Sequence, residues 1–288
     1  MRVISWNIQW GRGADGVVNL SRTLETLHAL GPADVICLQE VAVNFPELAG
    51  APDADATAIL AEAFPDHLLV DAPAVDVAGA DGGRSRFGNV MLSRLPVEQI
   101  FIHRLPWPPE AGVPSMPRTA IEAVIGLRTA GAIRVVSTHL EYYAAAQRQA
   151  QVAYLCQLQR DARGRANAPR HARDKGGPFA RRDDPLAAIA CGDFNFQPGS
   201  DDWCAMTAAA DEAAGWFDAW SLRHPGVAHP PSVGVHGADW PEHAFCCDYF
   251  FVTRPVAGAL QRVSYDAHSR ASDHQPLVLE LDERLLGG

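Results

Sequence analysis

Eight polar residues stand where apolar runs of this chain end or begin. Asn7 closes RVISWN, Glu40 closes DVICLQE, His139 closes IRVVSTH, and Asp193 and Asn195 follow LAAIACG. Asp248 opens DYFFV, and Asp273 and His274 precede PLVLEL. Loops gather at strand ends, and binding and catalytic side chains gather on loops. A single strand-end Asn or Asp is an ordinary turn former. When six such ends all carry Asn, Asp, Glu or His, chance spacing gives no reason for it. Carboxylate and amide oxygens suit a hard divalent cation. A histidine near an aspartate suits proton transfer close to neutral pH.

The elements that must position these groups can be read from the pattern. Apolar runs predict strands over 2–8, 34–39, 67–70, 88–93, 97–103, 119–127, 133–139, 186–191, 247–253, 259–265 and 276–281. Asn19 or Ser21 caps a helix with Leu20, Leu24, Leu27 and Leu30 on one face, stopped by Gly31-Pro32. Further helices are expected over 54–64, 142–160 and 201–213, and long loops over 161–185 and 223–245. Strands come in adjacent runs separated by single helices, not in regular alternation with them. That order predicts two mostly antiparallel sheets packed face to face with helices outside. The 288 residues are read as one catalytic domain.

Composition sets limits. Apolar residues are 48% and charged residues 20%, which excludes disorder and collagen-like repeats. The net charge of −10 argues against a general electrostatic grip on nucleic acid, though not against a nucleic-acid substrate held by a local site. Six cysteines without a C-x-x-C pair read as reduced, mostly buried thiols. The opening MRVISWNIQWGRG has no positive segment followed by a long apolar one, and no window approaches a membrane span. A cytoplasmic protein with no membrane partner is expected.

The motifs NIQW, LQE, STHL, GDFN and SDH, in this order from residue 7 to 274, resemble the endonuclease/exonuclease/phosphatase superfamily. That group includes pancreatic-type deoxyribonucleases, apurinic endonucleases, inositol polyphosphate phosphatases and neutral sphingomyelinases. The resemblance implies a four-layer α/β/β/α sandwich and metal-dependent cleavage of a phosphate ester. It does not identify the ester. The run typical of inositol phosphatases is replaced here by HAFCCDYFF, and that of apurinic endonucleases by STHLEYY.

By this resemblance Glu40 is the first candidate ligand for magnesium or manganese, with Asn7 and Asp273 beside it. His274 is the candidate general base, partnered by Asp248, with Asp193 as the alternative base. Asp193 and Asn195 would position water and phosphate, and His139 would donate to a phosphoryl oxygen or the leaving group. Arg118 could contact phosphate, and Asn89 could support the site. Arg148 and Gln151 read as a tie between helix and sheet. The histidines at 224, 229, 236 and 243 lack zinc-finger spacing, and their loop reads instead as a cleft wall with Pro230, Pro231 and Trp240. Loop 161–185 carries a local charge of +3 and is either a solvated face or an anion clamp. A magnesium-dependent phosphodiesterase is the leading reading. A nuclease and a catalytically silent binding protein on the same fold are the rivals.

Overall fold

Side chains along each central strand alternate between two apolar layers, the period-two signature of a sheet covered on both faces. On β1 (Arg2–Asn7), Val3 points to one layer and Ile4 and Trp6 to another. On β2 (Val35–Val43), Cys37 and its neighbours Ile36 and Leu38 divide in the same way. A computed structural model describes residues 1–50, 55–79, 82–129, 131–169, 177–208, 215–237 and 241–286.

The remaining strands are β3 (Leu68–Ala78), β4 (Arg84–Ser93), β5 (Val97–Arg104), β6 (Thr119–Gly126), β7 (Ala132–His139) and β8 (Ala188–Asp193). They are followed by β9 (Trp216–Asp218), β10 (Asp248–Thr253), β11 (Leu260–Tyr265) and β12 (Leu277–Leu281). One sheet runs β11-β12-β1-β2-β4-β3 and the other β5-β6-β7-β8-β10-β9. Each has one parallel pair at its centre, β1 with β2 and β7 with β8, flanked by antiparallel pairs. Both parallel pairs are bridged by a helix: α1 (Leu20–Ala29) joins β1 to β2, and α3 (Ala145–Asn167) lies between β7 and β8. The fold is therefore the α/β sandwich of two mostly antiparallel sheets with helices outside.

Three apolar layers follow from this stacking. Val3, Cys37, Met91 and Leu279 of one sheet meet Ile121, Val135, Ile189 and Phe250 of the other. Leu27 of α1 and Leu60 of α2 (Ala56–Ala63) cover the outer face of the first sheet. Val152 and Leu155 of α3 and Met206 of α4 (Asp201–Thr207) cover the second. Asn19 caps α1 by accepting from the Arg22 N–H, as anticipated.

Several boundaries differ from those expected. Strand β2 does not stop at Glu40 but continues to Val43 through a bulge. Helix α3 runs to Asn167, seven residues into the expected loop 161–185, because its Gln, Arg and Ala residues are strong helix formers. Strand β9 and the short helix α5 (Ala219–Arg223) went unread. Ala54 and Trp240 lie outside the described residues. Among the described residues no helix is long and apolar enough to cross a membrane, and the cysteines are free.

Candidate active site

The register of the second sheet assembles the first half of the site. His139 at the end of β7 pairs with Asp193 at the end of β8, and Asp193 pairs with Asp248 at the start of β10. Three functional side chains thus sit abreast, with strands about 4.8 Å apart. Gly192 is required here: its φ is +137°, and a Cβ would lie 1.8 Å from the Thr138 carbonyl oxygen.

The first sheet supplies the other half. Between Leu38↔Val90 and Val41↔Gly88, β2 advances three residues while β4 advances two. Glu40 sits in this bulge at φ +56°, and the extra residue re-aims its carboxylate into the site. Asn7, at the end of β1, donates from Nδ2 to Glu40 Oε1 at 3.1 Å and to Asp193 Oδ2 at 3.0 Å. This one amide joins the two sheets. The segment before β12 closes the ring: Ser272 Oγ donates to the Asn7 carbonyl at 2.8 Å, and Trp6 Nε1 donates to the His274 carbonyl at 3.0 Å.

Asp193 Oδ2 is the hub. Besides Asn7, it lies 3.4 Å from His139 Nε2 and 3.7 Å from His274 Nε2. His274 Nδ1 lies 2.8 Å from Asp248 Oδ2, which leaves Nε2 toward Asp193. Asn195, at φ +54°, places Nδ2 3.1 Å from His139 Nε2 while donating to the Leu140 carbonyl. Asp273 Oδ2 accepts from Gln9 Nε2 at 2.8 Å. Left-handed backbone at Gln9, Trp10, Glu40 and Asn195 gathers at this site.

Burial and charge crowding perturb these groups. Burial, with Asp273 nearby, pushes Glu40 up to about 7. Burial, with Asp248 nearby, raises Asp193 to about 6 despite its contact with His274. Asp273 is raised by burial too. His274 would be lowered by burial, but Asp248, Asp193 and Asp273 outweigh that and hold it well above the ordinary range. His139 is depressed well below it by burial, Arg118 and His274, so it stays neutral.

A divalent cation fits this environment. Carboxylates forced together with raised proton affinity are what a bound cation relieves. Gln9 Oε1 is also buried and unpartnered. Asp193, Cys247, Asp248 and His274 offer ligand atoms within 4.8 Å of one another. However, that group holds a protonated thiol and a His274–Asp248 pair already engaged with each other, which leaves Glu40 and Asp273 as the candidate hard-oxygen ligands.

The anticipated residues largely converge. Glu40, Arg118, His139, Asp193, Asn195, Asp273 and His274 line one cavity of about 520 Å³. Asn7 lies just beneath it, and Asp248 stands behind His274. Asn89 does not line the cavity; its amide donates to the Thr119 carbonyl at 2.9 Å, bracing the strand that follows Arg118. Arg148 ties α3 to α4 through Asp202 and to the loop after β7 through the Tyr142 carbonyl, and Gln151 ties it to loops through the Glu141 N–H and the Pro106 carbonyl. None of the described residues of the basic loop lines the site. Arg181 and Arg182 line a separate pocket with Gly131 and Ala132, at the opposite end of β7 from His139. Of the loop histidines, His229 pairs with Asp218 and His224 packs on Trp220.

Three supporting residues escaped sequence reasoning. Gln9 was visible within NIQW as a polar residue just past Asn7. Glu141, two residues beyond His139, holds Arg118 and accepts from the Tyr142 and Tyr143 N–H groups. Ser232 donates to Asp248 Oδ2 at 2.6 Å, and no pattern in its loop marks it.

Comparison with known proteins agrees with this picture. The sequence pattern of the Endonuclease/Exonuclease/phosphatase family matches residues 4–274. No curated protein matches the chain in sequence. Among solved structures, the chain is similar to an endonuclease/exonuclease/phosphatase from Beutenbergia cavernae, at 23% identity and TM-score 0.68, over 97% of this chain and 70% of that one. A 3′ phosphatase from Neisseria bound to a product DNA hairpin is 19% identical with TM-score 0.62, over 98% and 99% of the two chains. A mannosyl-6-phosphatase from Bacteroides thetaiotaomicron is 15% identical with TM-score 0.62, also over 98% and 99%.

Proposed function

The chain belongs to the Endonuclease/Exonuclease/phosphatase family, and from that premise we propose that it is a divalent-metal-dependent hydrolase of a small phosphodiester. The observation that carries the proposal is the convergence on Asp193 Oδ2 of Asn7 at 3.0 Å, His139 at 3.4 Å and His274 at 3.7 Å, beside Glu40 and Asp273. Glu40 and Asp273, with Asn7 alongside, would hold magnesium or manganese, which would supply charge neutralisation at the phosphoryl oxygens.

The protein's own groups account for the rest. Arg118 and the neutral His139 hold phosphoryl oxygens. Asp193, with Asn195, orients a water for attack and accepts its proton, while His274, held charged by its carboxylate neighbours, steadies the Asp193 carboxylate. Asp248 fixes the His274 ring through Nδ1, so that Nε2 faces the reaction. Ser232 in turn fixes Asp248.

The charge of the cavity favours a diester. Arg118 is the only Lys or Arg among the described residues lining it, which matches one phosphate carrying one charge. The same lone arginine and the net charge of −10 count against a nucleic-acid backbone as the main substrate. Turnover of a chromogenic diester such as bis(p-nitrophenyl) phosphate, with magnesium and with excess EDTA, tests the reading. Metal-dependent release of p-nitrophenolate is expected. Release that is equal in EDTA contradicts the metal, and no release of this or of any phosphoester in a panel of nucleotides, sugar phosphates and phospholipids contradicts the enzyme.

A further inference from the structure

Catalytic groups are not the only lining of the 520 Å³ cavity. Part of its wall is aromatic: Trp10, Phe45 and Phe87 on the side of the first sheet, and Tyr142 and Tyr143 on the segment after His139. The Phe45 and Phe87 ring centroids are 6.3 Å apart at 73°, and Trp10 lies 6.5 Å from Phe87 at 56°. The two tyrosine rings meet edge to face at 4.7 Å.

This wall is built, not residual. Trp10 takes a left-handed backbone, φ +45°, which a bulky residue adopts only when its surroundings impose it. Its indole N–H is satisfied by the Ala49 carbonyl at 3.2 Å, which fixes the ring at the cavity. Tyr143 is 62% exposed, so it contributes little to the fold from where it stands. Large aromatics kept at a cavity mouth signal a ligand surface.

The occupant follows from continuity with the reaction centre. A phosphate held by Arg118 and His139 has its organic substituent against whatever shares the cavity with them. Arg118 is the only Lys or Arg among the described lining residues, which fits one phosphate seat. We propose that this wall binds one flat aromatic ring carried by the substrate phosphate, making the enzyme selective for aryl- or nucleobase-type phosphoesters over aliphatic and polyanionic ones. The proposal rests on the phosphoesterase reading for the place of the phosphate.

Phosphonates separate the two. Their carbon–phosphorus bond is not hydrolysed by this chemistry, and each carries one organic group. Calorimetric titration of the full chain in magnesium with methyl-, cyclohexyl- and phenylphosphonate reads binding without turnover. Phenylphosphonate is expected to bind about 10- to 100-fold more tightly than methylphosphonate, and more tightly than the cyclohexyl compound. Tyr143→Ala, at an exposed position, and Trp10→Gly, compatible with the left-handed backbone, should each shrink the phenyl advantage and spare methylphosphonate. Equal affinity for methyl- and phenylphosphonate overturns the subsite. So does equal affinity for cyclohexyl- and phenylphosphonate, or a phenyl advantage that neither variant moves. Phenyl selectivity in a protein that hydrolyses no phosphoester supports the subsite and overturns the phosphoesterase reading instead.

Discussion

Glu141 Oε2 lies 3.2 Å from Arg118 Nε, with both side chains buried, while Arg118 Nη1 is buried without a partner and the residue lines the cavity. The carboxylate orients the guanidinium, and the unused donor is left for a ligand. An unpartnered buried donor costs stability, which fits the proposed use of Arg118 to hold a phosphoryl oxygen. Glu141→Gln, which keeps the shape and removes the charge, should raise KM for a phosphodiester about tenfold with a smaller effect on kcat. Steady-state kinetics check this; a change in kcat alone would assign Glu141 only to the fold.

The metal reading makes a separate claim. Glu40→Gln removes a charged oxygen donor yet keeps the hydrogen-bonding shape of the bulge. Activity should fall by about 100-fold or more at low magnesium and recover in part at high magnesium, because the loss lies in cation affinity. A loss independent of magnesium concentration would place Glu40 outside the metal seat.

The basic segment yields a negative expectation at the site. Arg181 Nη1 donates to the Ala168 carbonyl at 2.5 Å, and Nη2 reaches the Arg165 and Ala166 carbonyls, satisfying the end of α3. Arg181→Ala should cost about 0.5–1.5 kcal/mol of stability and leave KM and its salt dependence unchanged. Thermal unfolding and kinetics at two ionic strengths separate this from an anion clamp.

Asp34 carries a pH prediction distant from the site. Burial opposes its charge, but Arg128, Arg94 and the Arg2 N–H outweigh that and lower it to about 2. An unfolded Asp titrates near ~3.9. The folded value is the lower one, so its contribution is fully present above about pH 4 and is lost as pH falls toward about 2. Arg94 and Arg128 are partly solvent-exposed, so the contribution is about 1–2 kcal/mol after screening. Asp34→Asn should be less stable than the parent above about pH 4, with the two converging on acidification. A stability difference that persists undiminished at low pH would contradict it.

Much of the site was legible because polar residues interrupt apolar strands, and a buried strand has no other use for them. Asn7, His139, Asp193, Asp248 and His274 announce themselves in that way. Glu40 did so too, but its bulge did not, because the extra residue is defined by pairing with β4 and not by any local preference. Strand β9 is only three residues long, too short to establish a period. Glu141 and Ser232 act through other residues, so their importance is set by distances across the fold that no spacing encodes. The charged, glycine-containing run after residue 160 reads as a loop, yet its Arg and Ala residues extend α3 to Asn167.

Proton transfer from an attacking water to Asp193, beside a charged His274, is the step on which the proposed phosphodiesterase reading rests. It is tested most directly by kcat for bis(p-nitrophenyl) phosphate at saturating magnesium in the parent, Asp193→Asn, His274→Ala and the double variant. Each single change should lower kcat by about 10²–10⁴-fold, and the double variant should lose little more than the worse of the two. Losses that multiply independently, or a His274→Ala enzyme that retains parental kcat, would contradict the account.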